Sequence, residues 1–249
     1  MIGLRAAIAF LTRVPASAPP EANATSPAWF PVVGALIGLA GALAYAVALL
    51  AVSPLLAAAL ATAFLVALTG ALHEDGLADC ADAWAGGSNR EDALRILHDP
   101  AHGTYGVVAL VLILLIRVSE VAAMSASSAL LLLPVAHALS RTAMVGVLAT
   151  TPHARSTGLG AFYAALASRR TLAAALAGGL AIGLALVGPS VVACAAVAAV
   201  GGWLVRRLAV RHIGGVTGDV LGAAQQVTET AVLIVGAALV MAGWGLGWG

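Results

Sequence analysis

Seven apolar stretches divide this chain, each close to the roughly 20 residues a helix needs to cross a bilayer. They run over about 30–50, 54–72, 104–124, 129–150, 171–188, 190–209 and 222–244. Inside lipid a backbone must satisfy its own hydrogen bonds, so stretches of this length predict helices. The expected fold is therefore all-α: a polytopic membrane helix bundle of about seven transmembrane helices, one integral membrane domain over residues 1–249. Composition agrees. Across 249 residues, 61% are hydrophobic and 9% charged, against roughly 25% charged in soluble domains. That balance excludes a water-soluble globular domain and a disordered chain alike. Ala51 to Ser53 and Gly188-Pro189 are minimal connections, and proline there favours a turn between antiparallel helices.

Every one of the 12 basic residues is arginine, and their placement sets the topology. Arg5 and Arg13 precede the first span. Arg90 and Arg95 lie between spans 2 and 3; Arg155, Arg169 and Arg170 between spans 4 and 5; Arg206, Arg207 and Arg211 between spans 6 and 7. The connections near 51–53, 125–128 and 188–190 carry none. Positive charge stays cytoplasmic, so the N-terminus is expected inside, the C-terminus outside, and Trp244 and Trp248 in the outer interfacial belt. The expected location is a cell inner (plasma) membrane, in contact with lipid. Arg13 interrupts the short run Ala6 to Leu11, which therefore reads as mature chain rather than a signal peptide. A net charge of +1 without a basic patch argues against nucleic-acid binding. Cys80 and Cys194 lie far apart and form no metal-binding pair. The oligomeric state, homo-oligomer included, is open.

Ionisable groups inside hydrocarbon need a partner or a cavity. Arg117 and Glu120 share a helix face at i, i+3, and His137 and Arg141 at i, i+4. Two readings stand: an internal ion-pair network, or a polar pocket floor from which Arg141 reaches a substrate phosphate. Gly34 and Gly38 form a small-xxx-small pattern read as helix packing.

The chemistry concentrates in the 73–103 loop, expected to be cytoplasmic. It holds seven of the 11 acidic residues: Glu74, Asp75, Asp79, Asp82, Glu91, Asp92 and Asp99. Asp75, Asp79 and Asp82 are spaced i, i+4, i+7, which places them within roughly 60° of one another on a helix. Three carboxylates on one face repel unless a cation lies between them, and oxygen donors suit Mg²⁺ or Mn²⁺. A solvated acidic face is the plainer alternative. Gly86-Gly87 ends that helix. Ser88-Asn89-Arg90-Glu91 has capping-box spacing, and with an expected Glu91–Arg95 pair it predicts a short helix over 89–98. His98 and His102 have zinc-like spacing, but Pro100 between them breaks the register. In the expected cytoplasmic loop 211–222, Gly214, Gly215, Thr217 and Gly218 could bring backbone N–H groups to a phosphate at a helix N-terminus, with Asp219 at a metal or hydroxyl; a capped flexible turn is the alternative.

Three segments together resemble one family: Leu72-His73-Glu74-Asp75-Gly76-Leu77-Ala78-Asp79-Cys80-Ala81-Asp82, Asp99-Pro100-Ala101-His102-Gly103-Thr104-Tyr105-Gly106, and Gly214-Gly215-Val216-Thr217-Gly218-Asp219. With the opening Phe10-Leu11-Thr12-Arg13-Val14-Pro15, they are similar to adenosylcobinamide-GDP ribazoletransferases, also called cobalamin synthases. His98 and Gln226 depart from that family's pattern. The resemblance implies an Mg²⁺-dependent integral membrane transferase joining adenosylcobinamide-GDP to α-ribazole or its 5′-phosphate, with GMP leaving. In that reaction Asp75, Asp79 and Asp82 are the expected metal ligands, and one of them or Asp219 takes the hydroxyl proton. Arg13, Arg141 and Arg155 are expected phosphate clamps, and His73 an orienting residue. Two other readings were weighed. A phosphatidyl-type transferase would need Arg where Asp79 follows Ala78. A cation or solute transporter needs acidic groups at mid-membrane, and this reading, which places Glu120 alone within a span, counts against it.

Overall fold

The computed structural model describes residues 2–16, 20–154 and 168–242; Arg155, Trp244 and Trp248 lie outside them. The described residues form helices and an isolated bridge, with no β-strand. Helix α1 (Ile2–Leu11) and a 3₁₀ segment (Pro20–Trp29) lead into α2 (Phe30–Ala48), α3 (Pro54–Thr69) and α4 (Leu72–Gly86). Then follow α5 (Arg90–Ile96), α6 (Thr104–Ala122), α7 (Ala126–Thr150), α8 (Arg169–Val187), α9 (Val191–Ile213) and α10 (Gly218–Met241).

Five stretches are long and apolar enough to cross a membrane: Thr25–Ala48, Thr104–Ala122, Ala126–Thr150, Arg169–Ile213 and Gly218–Met241. The pair α3 and α4, bent by 90°, makes a sixth if taken together. The 45-residue stretch Arg169–Ile213 would be about 68 Å long as one helix, more than twice a hydrocarbon core of about 30 Å. It breaks instead at Gly188 (φ 55) and a 3₁₀ turn. The chain folds back there, because a Cβ on Gly183 would collide with the Val191 side chain. Gly188-Pro189 thus makes the tight turn its sequence predicts.

Helix α7 is the axis of the bundle: 78% of its apolar window is buried, against 17% for the peripheral α6. α2 packs along α7 through Gly34 and Gly38, where any Cβ would run into the His137 and Leu133 carbonyls. The small-xxx-small pattern is therefore a helix seat. α1 joins the same core through Ala7 and Leu11, and Phe10 stacks on Phe30 at 5.5 Å.

The described arginine-bearing segments gather at one end. The Arg13 N–H donates to the Leu68 carbonyl at 2.8 Å. Arg90 donates to the Ile213 and Ala154 carbonyls, and Arg206 to that of Thr150. At the other end the Tyr45 hydroxyl donates to the Met124 carbonyl at 3.0 Å.

Two local expectations shift. Helix α5 covers Arg90–Ile96, shorter than 89–98, and Asn89 rather than Ser88 caps it. Asn89 accepts the Asp92 N–H, while Asp92 accepts the Ser88 N–H at 3.1 Å. Asn caps as well as Ser, so the box moves one residue along. Arg95 accordingly pairs with Asp92 at 2.6 Å, not with Glu91.

Candidate active site at the arginine-bearing end

Helix α4 leaves α3 through two successive left-handed residues, Gly70 (φ 67) and Ala71 (φ 57). Ala71 is the non-glycine with positive φ among the described residues, a conformation costing about 1–2 kcal/mol. The turn carries α4 out of line with the spans, and its aspartate face meets the segment 99–106, a loop and the first turn of α6. Ligand atoms of Asp75, Asp79 and His102 all lie within 4.8 Å of one another. His102 Nδ1 is 3.4 Å from Asp79, and Nε2 is 3.6 Å from Asp75. Asp75 is exposed and Asp79 half-buried. Burial first, then the charges of Asp75 and Asp219, push the Asp79 carboxyl up to about 7 despite the opposing pull of His102.

Asp82 shares that helix face but has different partners. Its carboxylate accepts the backbone N–H groups of Gly103 at 2.7 Å and Gly106 at 2.9 Å. Gly103 is the N-cap residue of α6, so Asp82 supplies the cap that the glycine lacks. It is buried and stands apart from the Asp75, Asp79 and His102 group. His98 contacts the Leu94 carbonyl through Nδ1 at 3.0 Å, at the end of α5.

The N-terminus of α10 closes a second side. Thr217 caps it, receiving the Val220 N–H and donating to Asp219 at 3.1 Å. A Cβ on Gly76 would come within 2.7 Å of the Asp219 carbonyl, and one on Gly222 within 3.1 Å of the His73 carbonyl. These glycines let α4 and α10 cross in near backbone contact, which brings Asp219 beside Asp79. Gly218 faces open space. Gly214 and Gly215 have structural roles. Gly214 (φ 77) ends α9 and donates to Val210. Gly215 fits against the Pro152 carbonyl, beside the bridge between His153 and Val216.

Inward from the aspartates lies a buried polar network. Glu229 forms ion pairs with Arg141 at 2.7 Å, His137 at 2.9 Å and Arg117 at 3.0 Å. Arg117 also meets Glu74 at 3.3 Å and donates to Gln226 at 2.6 Å; Gln226 donates to Glu74 at 2.9 Å. Two arginines and two glutamates balance, as buried charges must. Of the two readings for these residues, this is the ion-pair network. It corrects the Arg117–Glu120 pairing, since Arg117 turns to Glu74 and Glu229 instead. It also commits Arg141, 1% exposed, to Glu229 rather than to a substrate phosphate. His73 is buried with its Nε2 unpartnered, facing the interior rather than the aspartates' opening. Arg13 is exposed, its side chain lying over Gly70.

The chain matches the family described as cobalamin-5-phosphate synthase (CobS) over residues 3–237. A protein of Bradyrhizobium diazoefficiens named adenosylcobinamide-GDP ribazoletransferase is 42% identical over 244 residues, covering 96% of this chain and 94% of its own length. Proteins with the same name from Ralstonia nicotianae and Pseudomonas aeruginosa are also 42% identical, covering 92% and 93% of this chain. This chain belongs to the cobalamin-5-phosphate synthase family. It is an enzyme of cobalamin synthesis. No solved structure matches it.

Three residues at or beside the site carry signals that are weak in the sequence. His102 has zinc-like spacing to His98, but it joins Asp75 and Asp79 instead. Glu229 lies inside the seventh apolar stretch and meets the same criterion that singled out Arg117 and His137. Glu74 belongs by sequence to the acidic loop, but it turns inward to Arg117 while its neighbour Asp75 turns out.

Proposed function

We propose that this enzyme joins adenosylcobinamide-GDP to α-ribazole or α-ribazole 5′-phosphate and releases GMP, with Mg²⁺ as its cofactor. The observation that carries the reading is the convergence of Asp75, Asp79 and His102, within 4.8 Å, beside the N-terminus of α10. The donor set fits a divalent cation. Two carboxylates stand together with no arginine paired to either among the described residues, and burial, then the charges of Asp75 and Asp219, push the Asp79 carboxyl up to about 7. Carboxylates suit Mg²⁺, and an imidazole extends the range towards Mn²⁺. Asp75 and Asp79 would hold the ion. When bound, it would neutralise charge developing on the pyrophosphate oxygens.

The chain's own residues do the rest. Asp219 receives the proton of the attacking ribose hydroxyl, and the Thr217 hydroxyl orients its carboxylate. The hydroxyl oxygen bonds to the phosphorus on the cobinamide side, and the bond from that phosphorus to the GMP oxygen breaks. The positive end of α10, open at Gly218, draws the phosphates in. Asp82 holds the start of α6, and with it His102, against the aspartates. Arg13, whose side chain lies over Gly70 at the start of α4, is one phosphate clamp we assign, and Arg155 is the second. We further propose seven crossings, with the site facing the cytoplasm in a cell inner membrane.

The test is direct. Purified protein is incubated with adenosylcobinamide-GDP, α-ribazole and Mg²⁺, and products are separated chromatographically. Equal amounts of GMP and cobamide are expected. GMP without cobamide would mean hydrolysis, and no GMP with either acceptor would overturn the reading.

A further inference from the structure

A groove of about 530 Å³ runs along the bundle away from the aspartates, between α8 and α9. The two helices meet at their turn, where Val191 seats on Gly183. Further on they part, and the central helix α7 forms the floor. Leu139 and Gly146 line that floor, Leu176 and Leu180 one wall, and Ala199 the other. Apart from Thr142, whose hydroxyl is spent on the Ala138 carbonyl, the polar groups of the lining sit at one end. There Arg206 donates through Nε and Nη2 to the Thr150 carbonyl, at 3.3 and 3.0 Å. Those two bonds leave the guanidinium with further N–H donors. Beside it the Arg207 guanidinium lies 5.4 Å from the Trp203 ring centroid, and Trp203 also lines the groove.

The dimensions match half a bilayer. From Leu139 to Thr150 the floor extends about 16 Å, and one leaflet's share of the hydrocarbon core is about 15 Å. The groove thus begins at the arginine-bearing end, at headgroup depth, and stops near the midplane. An arginine and a tryptophan at the mouth are the side chains suited to a phosphate and to the interface. An apolar trough one leaflet long, with a guanidinium only at its headgroup end, has the charge pattern of one lipid.

We propose that this groove binds one anionic glycerophospholipid of the leaflet at the arginine-bearing end, an acyl chain along α7 and the headgroup phosphate on Arg206. The proposal is independent of the transferase reading, since none of these residues lies in the aspartate site.

Native mass spectrometry of the full-length protein, released from micelles containing phosphatidylglycerol or phosphatidylcholine, tests it. One retained phosphatidylglycerol per chain is expected, and far less phosphatidylcholine. Arg206→Gln should lower retention about fivefold, the effect of one basic residue at an anionic headgroup. Gly146→Leu should abolish it by filling the floor. That position tolerates a side chain, because a Cβ there meets nothing within 4 Å. Both variants should elute as wild-type protein in size-exclusion chromatography; if one misfolds, the other still decides. Undiminished retention in a folded Gly146→Leu overturns the proposal. So does equal retention of the two lipids, displacement by millimolar inorganic phosphate, or a lipid-free dimer that Gly146→Leu dissociates.

Discussion

Glu229 on α10 and Arg141 on α7 meet at 2.7 Å with each side chain 1% exposed. The same carboxylate faces Arg117 and His137, so it anchors three helices at once. Glu229→Gln should therefore leave buried guanidinium charge uncompensated, a loss on the order of 3–5 kcal/mol. Folded yield by fluorescence-detected chromatography should fall several-fold, and Tm with it. Glu120→Ala should be close to wild type, because Glu120 is not among Arg117's partners. Equal damage from both substitutions would contradict this assignment.

Cation binding should depend on pH. The Asp79 carboxyl is pushed up to about 7 in the metal-free protein, so a cation arriving below that pH must displace a proton. Mn²⁺ affinity, read by electron paramagnetic resonance, should rise from pH 6 to 8 and then level off. The metal-free fold responds with the opposite sign. A raised carboxyl stabilises the fold through its protonated form, fully below the unfolded value near 3.8, and that contribution is lost as pH passes 7. Saturating Mn²⁺ should remove the loss. A pH-independent affinity would count against Asp79 as a ligand.

Asp75 and Asp82 should part company under mutation. Asp75→Asn and Asp79→Asn should each cut turnover at least about a hundredfold, by weakening the cation's hold on the transition state. The double variant should cost little more than the worse single. Asp82→Asn keeps one acceptor for the Gly103 and Gly106 N–H groups, so about tenfold is expected, mostly recovered by raising Mg²⁺. A Mg²⁺ titration of all four variants separates the roles. A hundredfold loss in Asp82→Asn with Tm unchanged would make Asp82 a ligand.

Two glycines at the same crossing should behave oppositely. Gly76→Ala places a methyl 2.7 Å from the Asp219 carbonyl and should force α4 and α10 apart, with loss of thermal stability and activity. Gly218→Ala meets nothing within 4 Å, so the fold should be unaffected. If phosphates approach there, KM should rise while Tm holds.

Reporter fusions after Arg95 and Arg211 should read cytoplasmic, and a fusion after Gly249 external. A cytoplasmic C-terminus would exclude seven crossings.

Much of the bundle was legible because its signals are periodic or categorical. Apolar length gave the helices, arginine placement gave the shared end, and i, i+4, i+7 spacing put three aspartates on one face of α4. What faces those aspartates was not legible. His102 arrives on a loop after Pro100, and no periodicity encodes a loop's path. The exchange of Glu120 for Glu74 and Glu229 as partners of Arg117 has a similar cause. Proximity along one helix is visible in sequence, whereas contacts across 43 and more positions depend on how helices cross. The glycine loop misled for a third reason: glycine serves close backbone packing and anion approach equally well. Gly215 does the first, Gly214 ends α9 at positive φ, and Gly218 opens outward.

Glu74 and Asp75 are neighbours on α4, one fastened to Arg117 inside, the other exposed beside His102. A slip of α4 by one residue would carry Asp75 into the interior and leave Arg117 facing the wrong chain length. The inner ion pair therefore works as a registration pin. It fixes α4 in rotation and in height, so the outward carboxylates are indexed by a contact that no substrate touches. A change that loosens the pin without unfolding the bundle would be felt first as a blurred spacing between Asp75, Asp79 and His102.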